Sequence, residues 1–184
     1  RDNSKISLRV HPSFISKEKT LADVNGSFNA VSIFGDAVGE VTYYGRGAGM
    51  MPTASAVVAD IIETALGNAQ NKFRHLKLKP HEQAEKLIEN IDELVSRFYI
   101  RLMVKDQPGV FAEIGKILAE NEISISGILQ HEGRGPENTV PVVITTHPTK
   151  QFRVTNALRQ IDKTKQNHGK PVYIRIVDIP EDND

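Results

Sequence analysis

Two short stretches of this 184-residue chain hold residue types that could do chemistry. The first is Gly45-Arg46-Gly47-Ala48-Gly49, between a β-rich run and a helical one. Glycines let a backbone approach a ligand closely, and the free N–H groups of a following helix favour an anion such as phosphate. The spacing is G-x-G-x-G followed by Met50, not the G-x-G-x-x-G of a dinucleotide fold. No complete βαβ unit with an acidic residue about 20 positions on surrounds it. On spacing alone, a cofactor contact and a structural glycine turn both stay open. The second stretch is Asp106-Gln107-Pro108-Gly109-Val110, at a strand-to-helix transition. N–H groups after Gly109 could hold a carboxylate and Asp106 an ammonium group, the two ends of an amino-acid zwitterion. The alternative is a helix-initiating turn in which Asp106 caps its own helix.

Other chemistry finds little support. Cysteine is absent, which excludes a disulfide scaffold, a thiol nucleophile and Cys-ligated zinc or iron–sulfur sites. His11, His75, His81, His131, His147 and His168 include no i, i+4 pair and no two-His-one-carboxylate pattern, so no metal site is expected. No G-x-S-x-G elbow supports a hydrolase triad. Basic and acidic residues balance at 23 each, so the charge footprint of a nucleic-acid binder is missing. No apolar run approaches the ~20 residues that span a bilayer. The chain starts Arg1-Asp2-Asn3-Ser4, without Met or an apolar signal region. We therefore expect a cytoplasmic, globular piece of a longer polypeptide, binding neither nucleic acid nor membrane.

The elements that must position the two stretches follow from periodicity. Ile6, Leu8 and Val10 alternate with polar residues and predict a strand. Phe28 to Phe34 and Val41 to Tyr44 predict strands joined by a tight connection at Gly35-Asp36-Ala37-Val38-Gly39. Thr53 is placed to N-cap a helix over 54–66, with a wide apolar stripe through Val57, Val58, Ile61 and Ile62 that predicts a buried face. Residues 68–80 turn polar and read as a linker, and 81–97 read as an amphipathic helix.

The last part has the cleanest pattern. Phe98, Ile100, Leu102 and Val104 predict a strand, and Val110, Ile114, Ile117 and Leu118 one face of a helix. Ile123, Ile125 and Leu129, then Val140, Val142 and Ile144, predict two more strands around a loop at 133–138. Val154, Ala157, Leu158 and Ile161 predict a second helix, and Val172, Ile174 and Ile176 a fourth strand. The order βαββαβ is the ferredoxin-like arrangement, with both helices on one face of the sheet.

These motifs resemble a known family. The glycine segments at 35–39 and 45–49, with Pro52-Thr53-Ala54-Ser55-Ala56-Val57-Val58-Ala59-Asp60, resemble the C-terminal stretch of bacterial homoserine dehydrogenase. Leu8-Arg9-Val10-His11-Pro12 and Asn25-Gly26-Ser27-Phe28-Asn29-Ala30-Val31 agree with it. The βαββαβ unit, with its D-x-P-G-V turn, is similar to an ACT domain, a small-molecule regulatory module. The implied fold class is α+β, a C-terminal ferredoxin-like ACT domain preceded by a mixed β/α remnant of the dehydrogenase catalytic domain. The implied domains are the remnant at 1–68, a linker and amphipathic helix at 69–96, and the ACT domain at 97–184.

The resemblance implies an NAD(P)-dependent parent oxidoreductase that interconverts L-homoserine and L-aspartate 4-semialdehyde, on the route to threonine and methionine. The nucleotide-binding fold and the stretch with the catalytic lysine find no match here, so the piece alone is expected to be inactive, with no catalytic residue assigned. Gly45, Gly47, Ala48 and Gly49 would pack beside the cofactor in the intact enzyme. ACT domains pair, so self-association is expected. The effector site would combine Asp106, Gln107, Gly109 and Val110 of one copy with Ser124 of the other. Ser124 stands where related modules often have Asn. The expected effector is an amino acid, threonine first, and the alternative is a purely structural pairing module with no ligand.

Overall fold

The computed structural model describes residues 6–75, 88–130 and 138–179. They divide into two compact units, one of residues 6–15 with 88–178 and the other of 16–75 with 179. Each is built differently.

The larger unit carries the core. β4 (Val95–Lys105) leads into α3 (Val110–Glu120), β5 (Ile125–Gln130), β6 (Thr139–Thr146), the short β7 (Thr149–Lys150), α4 (Gln151–Ile161) and β8 (Val172–Ile176). The strands stand in the order β8-β4-β6-β5, so the ferredoxin-like βαββαβ arrangement is present. Alternation places Phe98, Ile100, Leu102 and Val104 of β4 and Val140, Val142 and Ile144 of β6 in one buried layer. Val110, Ile114 and Leu118 of α3 and Val154, Ala157, Leu158 and Ile161 of α4 pack onto it. The Thr146 hydroxyl, fully buried, accepts the Phe98 N–H at 3.0 Å.

Three features of this unit differ from the sequence expectation. Residues 6–10 form no strand; Ile6 makes a single bridge to Ile88, and the strand is β1 (Ser13–Phe14), parallel to β8 at the sheet edge. There Phe14 packs edge-on against Tyr99, ring centroids 5.0 Å apart, a contact that Val10, fully exposed, does not make. The helix expected over 81–97 is not seen in its described part. Ile91–Glu93 is a single 3-10 turn whose Asp92 N–H is capped by the Asn90 side chain at 3.1 Å. Val95–Arg97 are drawn into β4 because the facing edges of β7 and β8 take up their backbone groups. Residues 81–87 lie outside the described residues. Finally, the buried residue of β8 is Arg175, while Val172 and Tyr173 are exposed and Ile174 and Ile176 half-buried.

The smaller unit is an antiparallel hairpin followed by helices. β2 (Phe28–Gly35) and β3 (Gly39–Arg46) pair in full register, from Phe28 opposite Arg46 to Gly35 opposite Gly39, as expected. α1 (Met50–Ala65) starts earlier than predicted, with Gly49 rather than Thr53 at its N-cap. Pro52 is tolerated because N–H groups in a first turn have no intrahelical acceptor. After Gly67, at φ 71°, the expected linker begins instead as α2 (Asn68–His75). Lys72 pairs with Glu63 at 2.7 Å across that bend, so a polar sequence folds as a helix without an apolar stripe. The buried face expected of α1 is absent: Val57, Val58, Ile61 and Ile62 are each more than half exposed. Nothing within residues 16–75 covers it.

Candidate functional site

The Asp106–Val110 turn sits where β4 gives way to α3. Gly109 adopts φ 90°, which favours glycine, and is the N-cap of α3 without any side-chain hydrogen bond. The Glu113 N–H donates to the Gly109 carbonyl at 3.1 Å, which leaves the N–H groups before Glu113 without an intrahelical acceptor. Among the described residues, a Cβ at Gly109 would meet nothing within 4 Å. Val110 turns its side chain into the core and offers the site only its backbone.

Asp106 does not cap the helix. Its N–H donates to the Asn138 carbonyl at 3.0 Å, and the Asn138 side chain returns a bond to the Asp106 carbonyl at 3.3 Å. Its carboxylate accepts from Gln130 Nε2 at 3.4 Å and is otherwise exposed. The Gln107 side chain donates to Gln166 Oε1, and the Gln166 carbonyl accepts the Lys105 N–H at 3.0 Å. Sequence reasoning missed Gln130, Asn138 and Gln166. Asn138, at φ 58°, had a signal in its polar loop, whereas Gln130 and Gln166 reach the turn only through the fold.

Ser124 is not brought to this turn within one chain. β4 and β5 both run antiparallel to β6, so Ser124, just before β5, lies at the end of the sheet opposite Asp106. There its carbonyl accepts the His147 N–H at 2.9 Å. Gln130, at the far end of the same strand, is the residue beside Asp106.

In the smaller unit, Gly45, Gly47, Ala48 and Gly49 are all exposed at the passage from β3 to α1. Gly45 pairs with Asn29, and the Gly47 N–H donates to the Ser27 carbonyl at 3.1 Å. A Cβ at Gly47 would overlap the present position of the exposed Asn29 side-chain amide, which would have to turn away. Gly49 has φ 128°, and the first turn of α1 contains no acidic side chain. Among the described residues no cluster of three or more possible ligands could hold a metal ion, and no helix is long and apolar enough to cross a membrane.

Comparison with known proteins finds two matching segments. Residues 3–62 match the homoserine dehydrogenase family and residues 98–164 the ACT domain. A homoserine dehydrogenase of Pseudomonas aeruginosa is 38% identical over 179 residues, which are 96% of this chain and 41% of that protein. One of Helicobacter pylori is 40% identical over 176 residues, 93% of this chain and 39% of its own length. The crystal structure of a homoserine dehydrogenase from Thiobacillus denitrificans superposes with a TM-score of 0.81 at 39% identity, over 97% of this chain and 40% of that one. The chain thus spans about two fifths of the length of these relatives. With the dehydrogenase match ahead of the ACT match along the sequence, it belongs to the homoserine dehydrogenase family and corresponds to the C-terminal part of such an enzyme, an ACT domain included.

Proposed function

We propose that this chain is the regulatory C-terminal part of an NAD(P)-dependent homoserine dehydrogenase, an enzyme of the cytoplasm that interconverts L-homoserine and L-aspartate 4-semialdehyde. Its ACT domain senses an amino acid, threonine. The functional partition is a catalytic remnant at 1–68, a connection at 69–96 and the sensor at 97–184, with the arm at 6–15 joined physically to the sensor. The chain by itself carries no dehydrogenase activity.

The observation that carries this reading is the start of α3 at Gly109, without a side-chain cap, with the Asp106 carboxylate bonded to Gln130 and not to the helix. The N–H groups bind the effector's carboxylate and Asp106 its ammonium group. β5 is the free edge of the sheet, with Ile128 and Leu129 half exposed. Antiparallel pairing of two such edges sets Ser124 of one copy beside Gln130, and hence Asp106, of the other. Pairing therefore completes the site.

Gly45, Gly47, Ala48 and Gly49 fit a supporting role toward NAD(P). The three glycines present bare backbone and Ala48 only a methyl group just before α1, with no acidic group in its first turn to repel a phosphate. When bound, the cofactor would supply hydride transfer, and the backbone of these residues would contact it.

The test is isothermal titration of the chain with threonine, with isoleucine, methionine and homoserine as controls. Saturable threonine binding is expected, and Asp106→Asn weakens it about 10- to 100-fold, the value of a charge-assisted hydrogen bond of roughly 1.5–3 kcal/mol. The exposed β5 edge also serves a second reading, a pairing module without ligand. Dimers by light scattering with no heat from any amino acid would establish that one instead.

A further inference from the structure

Arg175 is an anomaly in the sensor's sheet. It is 7% exposed, yet no carboxylate pairs with it among the described residues. Its guanidinium is held by a neutral group: Nε and Nη2 donate to Gln151 Oε1 at 3.0 and 2.9 Å. Gln151 is itself buried, and its Nε2 donates to the Tyr173 hydroxyl at 3.1 Å. This arrangement orients a buried charge without neutralising it, and an uncompensated buried charge is costly.

Arg175 lines a cavity of about 400 Å³ between β8 and the arm at 8–12, within the range of roughly 300–1,000 Å³ typical of ligand pockets. Arg9 lines it from the arm, its guanidinium fixed by two bonds to Ser7 Oγ at 3.0 and 2.9 Å. Desolvation and then the nearby Arg175 charge lower the pKa of Arg9, while Glu89 acts in the opposite sense. Arg9, Arg175 and Glu89 leave one net positive charge. The remaining wall combines the aliphatic side chains of Leu8, Val10, Ile91 and Ile174 with Pro12, His11 and Tyr173. Leu8 is 71% exposed, apolar surface turned to water beside the two guanidiniums.

We propose that this cavity is a second small-molecule site on the regulatory unit, taking a monoanionic carboxylate with a short aliphatic body. Arg9 and Arg175 grip the carboxylate from two sides, as guanidiniums do, and the aliphatic wall receives the body. Because Arg9 belongs to the arm and Arg175 to β8, the ligand also clamps the arm onto the sheet edge. The site shares no residue with the Asp106–Val110 turn and stands or falls independently of threonine sensing.

The test is thermal unfolding of the chain titrated with butyrate, acetate and inorganic phosphate at constant ionic strength. Butyrate is expected to raise the melting temperature saturably, and more than acetate. Arg9→Gln, a change on the exposed arm that leaves the core intact, should weaken butyrate at least tenfold without altering the threonine titration. Arg175→Gln should abolish it. Equal effects of acetate and butyrate would remove the aliphatic pocket, a stronger response to phosphate would remove the monoanion preference, and an unchanged response in Arg9→Gln would overturn the site.

Discussion

At the scale of single residues, the recurring theme is a polar group whose partner comes from far along the chain. Thr146 lies in an otherwise apolar layer because its hydroxyl satisfies the Phe98 N–H. Thr146→Val keeps the shape and orphans that donor, so urea unfolding should show a loss of about 1–3 kcal/mol; no change would mean that another acceptor serves Phe98. Arg175 and Gln151 follow the same logic, since neither position reads as an interior pair until β8 and the start of α4 are brought together. The alternation of Val172, Ile174 and Ile176 was legible, but which face it would turn toward the helices was not. A period of two has no preferred side until a neighbour supplies one.

At the scale of elements, the contrast between α3 and α1 is instructive. Both have apolar residues at helical spacing, but the stripe of α3 is covered by the sheet and that of α1 stays exposed. Ile61→Lys should therefore change the stability of the chain by no more than about 0.5 kcal/mol, as for an ordinary surface position. A loss of several kcal/mol by urea unfolding would show that α1 packs against something in solution, such as a second copy. The hairpin of β2 and β3 shows the same condition: Val31, Ile33 and Tyr43 are each more than half exposed. Its turns follow their glycines, with Gly26 at φ 64° and Gly39 at φ 65°, so local chemistry alone placed them.

At the scale of the whole molecule, stability is unevenly shared. Among the described residues, every member of the hydrophobic core belongs to the larger unit, whereas no residue of β2, β3, α1 or α2 is fully buried. Hydrogen exchange on the intact chain should show amides of residues 16–75 exchanging well ahead of those in β4 and β6, which open only with global unfolding. Equal protection in both units would show that the hairpin and α1 gain a partner in solution. The match to about two fifths of each relative's length agrees with an incomplete interior in this unit.

The sequence by itself determined the βαββαβ order, the hairpin, the two glycine-bearing turns and the family resemblance, because these depend on short-range periodicity and on residues with special backbone freedom. Tertiary structure alone decided which segments of weak pattern became which element. The arm at 6–15 found its strand at Ser13–Phe14 because the β8 edge was there to receive it. Residues 95–97 became strand because β7 and β8 were there to pair with them, and 68–75 became helix against Glu63. It also decided the two chemical surroundings that matter most: Gln130 and Asn138 around Asp106, and Arg9 facing Arg175 across a cavity. Such neighbours are joined by sheet pairing over long sequence separations, and no local pattern encodes a partner that lies scores of residues away.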